Sequence, residues 1–476
     1  MNMFVNIADF LSSAPLMVVT ATGLLLILAE ATRQGRAELS FSVSLIGLVI
    51  AAAWAVVNYG NEQTVFFGMI RQGWYANFLN LVFLSAAALT ILLSKQYLER
   101  QNAHRGEYYI LIVFATAGMM LMASANDLIV IFLGIELMSF CLYVLAGFFR
   151  TKDRSNESAL KYFLLGAFAS GFLLYGIALV YGAAGTTNLE NIARMMPALN
   201  SKWMFQVGVG LLLTAFAFKT ASVPFHMWAP DVYEGAPTSV TAFMSTGAKA
   251  AAFATFLLVF HQVFQFSAAN VNDLIAILAA SSMILGNVIA IAQTNIKRML
   301  AYSSIAHAGY MLSGIAAGNT EGQTGILFYV AAYTLMNIGA FGIAGLMETG
   351  EEKNLQLDDY AGLSRQQPLL AALMAVFMFS LAGIPPFAGF FGKYYVFLSA
   401  VKADMTWLAI VGVLTSLVSA YYYLRIVVLM YFKDGGGDVP STPAFPALIA
   451  VTGSALLLLQ FGIFPSFIIN AVQKIF

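Results

Sequence analysis

The chain has 476 residues, of which 60% are hydrophobic and only 10% are charged. Soluble domains carry roughly 25% charged residues, so lipid rather than water is the expected main solvent. The formal net charge is zero, which argues against nucleic acid as a partner. Cys141 is the single cysteine, and the sequence contains neither a metal-binding cysteine cluster nor a GxxxxGK(S/T) phosphate loop. We therefore expect no metal, redox or nucleotide chemistry in the chain itself.

Fourteen apolar segments follow one another, and each is about as long as a transmembrane helix, which needs about 20 residues. They lack the apolar–polar alternation of barrel strands, so we predict an all-α integral membrane protein. In chain order the predicted spans are 14–32, 39–58, 77–94, 108–125, 127–149, 160–182, 203–223, 237–261, 272–293, 299–317, 323–347, 368–400, 404–432 and 444–470.

The basic residues give the predicted spans an orientation. Lys and Arg are concentrated in the loops after odd-numbered spans, for example at Arg150, Lys152, Arg154, Lys297 and Arg298. Such loops usually face the cytoplasm. Because the number of spans is even, both termini are expected on the opposite side.

Two predicted spans are interrupted by proline, at Pro224 and at Pro385-Pro386. Proline removes a backbone donor, so each helix should be broken there. The Pro-Phe pairs lie 162 residues apart (224 and 386), and the aromatic- and glycine-rich spans before them share nearly this offset. We predict a five-helix unit used twice and inverted, because five is odd. The alternative is that Pro and Gly are simply frequent in membrane helices.

This repeat divides the chain into four parts. We predict an N-terminal three-helix segment (1–107), a first five-helix repeat (108–265), a second five-helix repeat (266–435) and a C-terminal helix (436–476).

A few charged residues fall inside the predicted spans, where charges are rare and usually functional. They are Glu136, Lys161, Lys219, Lys249, Lys393 and Arg425. An unpaired ion costs several kcal/mol in such surroundings, so each should find a partner or change its protonation. Arginine does not give up its proton, so Arg425 is interpreted as a fixed charge.

Glu136 shares a helix face with Ser139 and Tyr143 at spacings of three and seven. Lys219 lies directly before the break at Pro224, where unwound backbone can admit water. A change at Glu136 can then switch Lys219 between holding and releasing a proton. The alternatives are a static ion pair for Glu136 and a structural brace for Lys219.

Lys249 ends a stripe of Thr238, Thr241 and Ser245 on one helical face. This stripe predicts a narrow file of hydroxyl groups and water, although hydroxyls that bond backbone carbonyls between packed helices remain the alternative. Lys161 lies one turn inside its span, so its side chain can also extend to the membrane interface.

His307 lies in the middle of its predicted span, and a neutral histidine can take up a proton on one nitrogen and release one from the other. A structural histidine bonded to Ser303 or Ser304 is the alternative. Lys393 follows the second break, with Gly389 nearby.

Three motifs carry a resemblance to a known family. Residues 223–241 (VPFHMWAPDVYEGAPTSVT) closely resemble the signature of the subunit N family of bacterial proton-translocating NADH:quinone oxidoreductase (respiratory complex I), whose mitochondrial counterpart is subunit 2. Residues 301–310 (AYSSIAHAGY) and 380–393 (SLAGIPPFAGFFGK) look like the same family. The resemblance covers essentially the whole chain.

The resemblance implies an antiporter-like subunit with fourteen helices, two inverted repeats and a hydrophilic axis along the membrane plane. It implies that the helix-five glutamate, here Glu136, pairs with the helix-seven lysine, Lys219. The proton relay that it implies consists of Glu136, Lys161, Lys219, Lys249, His307 and Lys393.

The implied function is proton translocation coupled to electron transfer from NADH to quinone, as one subunit of a translocase in the bacterial inner membrane. NADH, FMN, the iron–sulfur clusters and quinone would bind other subunits. The implied partners are subunit M on one side and the small subunits K and J on the other, with protons as the transported species.

The lysine at position 393 disfavours membership of the subunit M family, which has glutamate at this position. One rival function is that of a subunit of an Mrp-type cation/proton antiporter. The sequence Val-Tyr-Glu-Gly at 232–235 differs from the pattern typical of those antiporters and disfavours it. A structural spacer with an inactive channel is the other.

Overall fold

The computed structural model describes residues 7–32, 37–199, 201–263, 270–349, 353–435 and 443–475. The helices are α1 (Ile7–Ser12), α2 (Ala14–Thr32), α3 (Ala37–Val57), α4 (Trp74–Arg100), α5 (Gly106–Ser124), α6 (Leu128–Ala146), α7 (Asp153–Ala184), α8 (Leu189–Leu199), α9 (Trp203–Lys219), α10 (Trp228–Gly235), α11 (Thr238–Phe243), α12 (Lys249–Leu257), α13 (Asn270–Ile291), α14 (Ile296–Ala317), α15 (Thr320–Met347), α16 (Leu363–Gln366), α17 (Pro368–Ala382), α18 (Ala388–Lys402), α19 (Thr406–Phe432), α20 (Phe445–Ile463) and α21 (Ser466–Gln473). A short hairpin pairs β1 (Gln63–Val65) with β2 (Ile70–Gln72).

The protein is a mostly helical, multi-spanning membrane protein, as predicted. Eleven helical segments of the described chain are long and apolar enough to cross a membrane, and α9 and α17 are shorter apolar helices. One of the eleven, Thr238–His261, joins α11 and α12 through a π-helical turn and ends within a second one. α14 is equally long but contains more polar residues.

Two spans form the interior of the helix bundle. In α15 and in Thr238–His261 the apolar stretch is completely buried, whereas two thirds of the corresponding stretches of α2 and α3 are not. The outer helices expose Leu, Ile and Val side chains, for example Leu25 and Val49, which suits contact with lipid tails. The buried Lys249 lies in one of these two inner spans.

Both predicted helix breaks are confirmed. α9 ends at Lys219 and α10 begins at Trp228, with Pro224 between them. α17 ends at Ala382 and α18 begins at Ala388 after the Pro385-Pro386 pair. The residue after α17 is Gly383, whose φ of +84° lies in the left-handed region that glycine adopts without a steric penalty.

Some predicted elements differ from the structure. The span predicted at 444–470 is two helices, because α20 ends before Pro465, whose ring is incompatible with a continuing helix. The prediction of an all-α chain missed the hairpin at 63–72. The predicted repeat boundary at 265 and 266, and the predicted start of the last segment at 436, lie outside the described residues.

Candidate functional site

The first intramembrane group lies where α6 approaches the break after α9. Lys219, the last residue of α9, is 9% exposed, and its Nζ donates a 2.9 Å hydrogen bond to Ser139 Oγ of α6. Glu136 lies one turn before Ser139 and accepts a hydrogen bond from Ser170 of α7. Glu136 is close enough to Lys219 for a Coulomb interaction, but the structure has no ion pair within 4 Å between these two described residues. Ser139, and not Glu136, thus accepts the hydrogen bond of Lys219.

Lys249 is 2% exposed and lies within the completely buried span that begins at Thr238. Its Nζ donates a 2.8 Å hydrogen bond to the backbone oxygen of Ser304 on α14 and a second one to Ser304 Oγ. Tyr233 and Tyr333 also approach the Ser304 side chain. Lys249 is thus surrounded by hydroxyl groups and a backbone carbonyl.

The hydroxyl stripe before Lys249 does not form the regular file that its spacing predicts. Thr241 donates to the backbone oxygen of Tyr233 (2.9 Å), and Ser245 donates to that of Ala242 (3.1 Å). These are the contacts of the helix-packing alternative. The π-helical turn at Met244–Ala248 also widens the helix, so regular spacing is lost directly before Lys249.

His307 is completely buried on α14 and bonds two tyrosines, not Ser303 or Ser304 as in the structural alternative. Its Nδ1 lies 2.7 Å from the Tyr329 hydroxyl, and its Nε2 lies 3.0 Å from the Tyr423 hydroxyl. Tyr423 also bonds Ser303. A neutral imidazole has one donor and one acceptor nitrogen, so one tyrosine accepts from His307 and the other donates to it. This arrangement can pass a proton in either direction.

Lys393 is 4% exposed and lies beside the second break, on α18. Its Nζ donates to the backbone oxygen of Ala382 (2.9 Å) and to Ser416 Oγ (2.8 Å). It also lies 5.0 Å from the ring centroid of Tyr310, within the range of a cation–π contact. A cavity of about 600 Å³, lined mainly by apolar residues of α18 and α19, opens beside this lysine.

Lys219, Lys249 and Lys393 share one property. None of these buried lysines has a carboxylate within 4 Å in the described part of the chain. Their hydrogen-bond partners are hydroxyl groups or backbone carbonyls. A side-chain hydrogen bond that would link the Lys219 group to the Lys249 group is absent among the described residues, so a proton would need water to pass between them.

Lys161 lies near the start of α7, and its position within the membrane stays a prediction. Its side chain is 41% exposed, and its Nζ pairs with Glu157 (2.7 Å) and Asp231 (2.8 Å). Asp231 also pairs with Arg298 (2.9 Å). Burial raises the pKa of Asp231, but the hydrogen bonds from Lys161 and Arg298 outweigh this effect and hold it below its usual value. Because α7 begins at Asp153, Lys161 can reach these surface acids. Arg425, interpreted as a fixed charge, is partly exposed on α19.

Two buried carboxylates, Asp127 and Glu348, were missed by the sequence analysis. Glu348 follows α15 directly and is 2% exposed. It accepts hydrogen bonds from Tyr97 of α4 (3.1 Å) and from Thr238. In the sequence, Glu348 is the first residue of a polar segment that contains two further glutamates. The local sequence therefore does not indicate that Glu348 is buried.

Three side chains at the surface have donor atoms spaced closely enough for a metal ion. In Glu38, Glu99 and His104 these atoms lie within 4.8 Å of one another. Glu38 already pairs with Lys95 (2.8 Å), and His104 hydrogen-bonds Tyr109 (2.9 Å). We assign no metal to this cluster.

Comparisons with known proteins show the family and the fold of the chain. The family described as the transmembrane region of NADH:quinone oxidoreductase and Mrp antiporters matches residues 125–419. NADH-quinone oxidoreductase subunit N of Trichlorobacter lovleyi is 52% identical over 91% of this chain and 89% of the relative. A chain of respiratory complex I from Thermus thermophilus with bound aureothin superimposes with a TM-score of 0.84 at 35% identity, covering 96% of this chain and 99% of that one. A chain of the Mrp complex from Dietzia sp. DQ12-45-1b reaches a TM-score of 0.86 over 98% of this chain and 97% of that one, but at 20% identity it shows the shared fold alone.

Proposed function

The chain belongs to the family of NADH-quinone oxidoreductase subunit N, and from this membership we propose that its buried Lys219, Lys249 and Lys393 carry protons across the membrane. Electron transfer from NADH to quinone in other subunits drives the transport. The main support for this proposal is that three interior lysines lack a carboxylate partner in the described structure. A buried cation without a counterion destabilises the fold, so a role in proton transfer accounts for it better than a structural one.

The residues have distinct roles in this proposal. Lys219 and Lys249 are loaded with protons from the cytoplasmic side, and the protons pass laterally through His307 to Lys393, where they leave. Support comes from the contacts of His307 with Tyr423 and Tyr329, since these groups can exchange protons by rotating hydroxyls. Glu136 tunes Lys219 through Coulomb forces. Lys161 is left outside the relay because it is half-exposed and already paired.

We extend the proposal to fourteen spans. To the eleven helical segments that meet the length and composition of a span, it adds α14 and the broken helices that begin with α9 and α17. It places both termini on the periplasmic side of the bacterial inner membrane, because the basic loops after odd-numbered spans favour the cytoplasm.

The two inverted five-helix repeats are proposed at 108–265 and 266–435, after an N-terminal segment (1–107) and before a C-terminal one (436–476). Equivalent packing in the two halves supports them. α5 packs on α6 as α13 packs on α14, and α7 packs on α9 and α10, on both sides of the first break, as α15 packs on α17 and α18, on both sides of the second. Each half also contains one broken helix.

Other subunits of the complex are the partners of this chain. We propose subunit M on the Lys393 side, where the 600 Å³ cavity leaves apolar surface open, and the small subunits K and J on the Glu136 side. NADH, FMN, the iron–sulfur clusters and quinone are assigned to other subunits.

The test replaces Lys249 by methionine, which keeps the length of the side chain and removes its charge. In the assembled complex, Lys249→Met should lower the number of protons pumped per electron. Lys402→Met is the matched control, because Lys402 is half-exposed and pairs with Glu321 at the surface. Equal pumping by the two variants would contradict the proposal.

A further inference from the structure

Glu348 is a buried carboxylate for which the proposed relay has no role. It is held by three structural elements, since it follows α15 and accepts hydrogen bonds from Tyr97 of α4 and from Thr238 at the start of α11. The Tyr97 hydroxyl in turn accepts a hydrogen bond of 3.1 Å from the Thr238 backbone N–H. Thr238 begins the same buried span that contains Lys249.

The site lies close to a polar pocket at the protein surface. The pocket has a volume of about 190 Å³ and is lined by residues of 101–107 and 148–152, among them Gln101, Arg105, Glu107 and Lys152. Phe149 lines this pocket and its ring also contacts Tyr97, with 5.9 Å between the ring centroids. Phe149 and Tyr97 thus connect the lining of this pocket to the Glu348 carboxylate, which Tyr97 bonds.

A second, smaller cavity of about 10 Å³ lies on the inner side of Tyr97. Its lining includes Tyr97, Arg100 and Ser239, so it offers polar partners and room for about one water molecule. The Nη2 atom of Arg100 is buried and has no hydrogen-bond partner among the described residues. A water in this cavity would supply one.

The hydrogen bonds around Glu348 show how a proton would move. An ionised carboxylate only accepts, and here both of its oxygens accept from hydroxyl groups. When the carboxylate takes up a proton, its new O–H must donate, so one of the two hydroxyls has to turn its own hydrogen away. A turned Thr238 or Tyr97 hydroxyl can then donate inward, and the proton has advanced by one hydrogen bond.

Further hydroxyl groups continue from Thr238 towards Lys249. Thr241 lies one turn along the span and bonds the backbone of Tyr233. The side chain of Tyr233 approaches Ser304, to which Lys249 donates two hydrogen bonds. Polar groups of α10, α11 and α14 thus lie between the buried carboxylate and the buried lysine, but water has to complete the connection, because Thr241 bonds a backbone oxygen and not another hydroxyl.

We propose that Glu348 takes up protons from the polar pocket at 101–107 and 148–152 and passes them through Thr238 towards Lys249. A hydronium ion in the pocket gives its proton to a carboxylate oxygen, and the carboxyl group passes it to the Thr238 hydroxyl as that hydroxyl releases its own proton to a water molecule, from which the neutral amine of Lys249 takes it. This inference rests on the proposed function, because it names the uptake group of the same relay. In this inference the carboxylate of Glu348 itself binds the transferred proton.

The test replaces Glu348 by glutamine in the intact complex. Glutamine keeps the shape and one acceptor oxygen but cannot carry a proton, so a purely structural role predicts normal pumping. The inference predicts that protons pumped per electron fall below the wild-type ratio, because glutamine cannot take up and release a proton. Glu348→Asp, which keeps the carboxylate, should restore part of the loss. Glu321→Gln removes a surface acid and should pump normally.

If the complex that carries Glu348→Gln does not assemble, the variant Thr238→Val tests the same inference. It removes the hydroxyl at nearly constant volume and should lower pumping, whereas Thr238→Ser should not. Lys249→Met is measured in parallel. If Lys249→Met loses pumping while Glu348→Gln or Thr238→Val pumps normally, the uptake site is wrong and the proposed function stands. If Lys249→Met also pumps normally, both are wrong.

Discussion

Lys219 donates its hydrogen bond to Ser139 and not to the Glu136 carboxylate one turn earlier on α6. Lys219 therefore interacts electrostatically with Glu136 but forms no direct hydrogen bond with it. A direct ion pair would hold the proton on Lys219, whereas a hydroxyl partner leaves it free to be released. This contact suggests that Ser139 determines how strongly Glu136 acts on Lys219.

Replacing Ser139 by alanine should alter pumping without preventing assembly. The variant leaves Lys219 without its observed acceptor, which costs roughly 1–3 kcal/mol unless the ammonium moves to Glu136. We expect the lysine to make that move, so that proton release becomes slower and pumping falls while the complex remains assembled. Proton pumping in membrane vesicles measures the effect.

Thr214→Ala is the control for Ser139→Ala, since Thr214 only bonds a backbone carbonyl at the exposed side of α9. Wild-type pumping by Ser139→Ala would show that the serine contact does not matter for proton release.

The two tyrosines that bond His307 should not be equivalent. Tyr423→Phe removes the bonds to both His307 and Ser303, whereas Tyr329→Phe removes only the bond to His307. Each lost hydrogen bond costs about 1 kcal/mol of stability. The relay predicts that pumping falls further in Tyr423→Phe than in Tyr329→Phe.

Tyr422→Phe is the control for these variants, because Tyr422 bonds Asn287 and not the histidine. Equal pumping by Tyr422→Phe and Tyr423→Phe would contradict a path through His307.

The sequence predicts the helical spans well because their length and composition reflect the thickness of the membrane. The two breaks are equally visible, since proline enforces them locally. The partners of Lys219 and His307 were not predictable, because Ser139 and Tyr423 come from helices distant in sequence. The π-helical turn before Lys249 and the burial of Glu348 arise from packing around α15, for which the local sequence has no signal.

Two glycines on α20 should respond very differently to alanine. A Cβ on Gly462 would lie 1.9 Å from the backbone oxygen of Pro386 in the second break, whereas a Cβ on Gly453 would meet no atom within 4 Å. Gly462→Ala should therefore destabilise the protein by about 1–3 kcal/mol or more, as overpacking does. Gly453→Ala should be neutral or slightly stabilising, because alanine favours helices. Thermal denaturation of the purified complex compares the two, and equal midpoints would show that α20 does not pack closely against the break.

Lys161→Met should leave most of the pumping intact, in contrast to variants of the buried lysines. Its ion pairs with Glu157 and Asp231 are partly exposed, and such pairs contribute about 0–1 kcal/mol. Pumping assays with purified complex in liposomes measure the effect. A loss of pumping as large as that of Lys249→Met would show that Lys161 takes part in the proton relay.

The central claim is that interior lysines without carboxylate partners carry the protons. Replacing Lys219 by alanine in the assembled complex, and measuring protons pumped per electron in liposomes with NADH as donor, tests it most directly. We predict that the ratio falls while the complex stays assembled and still oxidises NADH. An undiminished ratio in a fully assembled complex would contradict the account and identify the chain as a structural spacer.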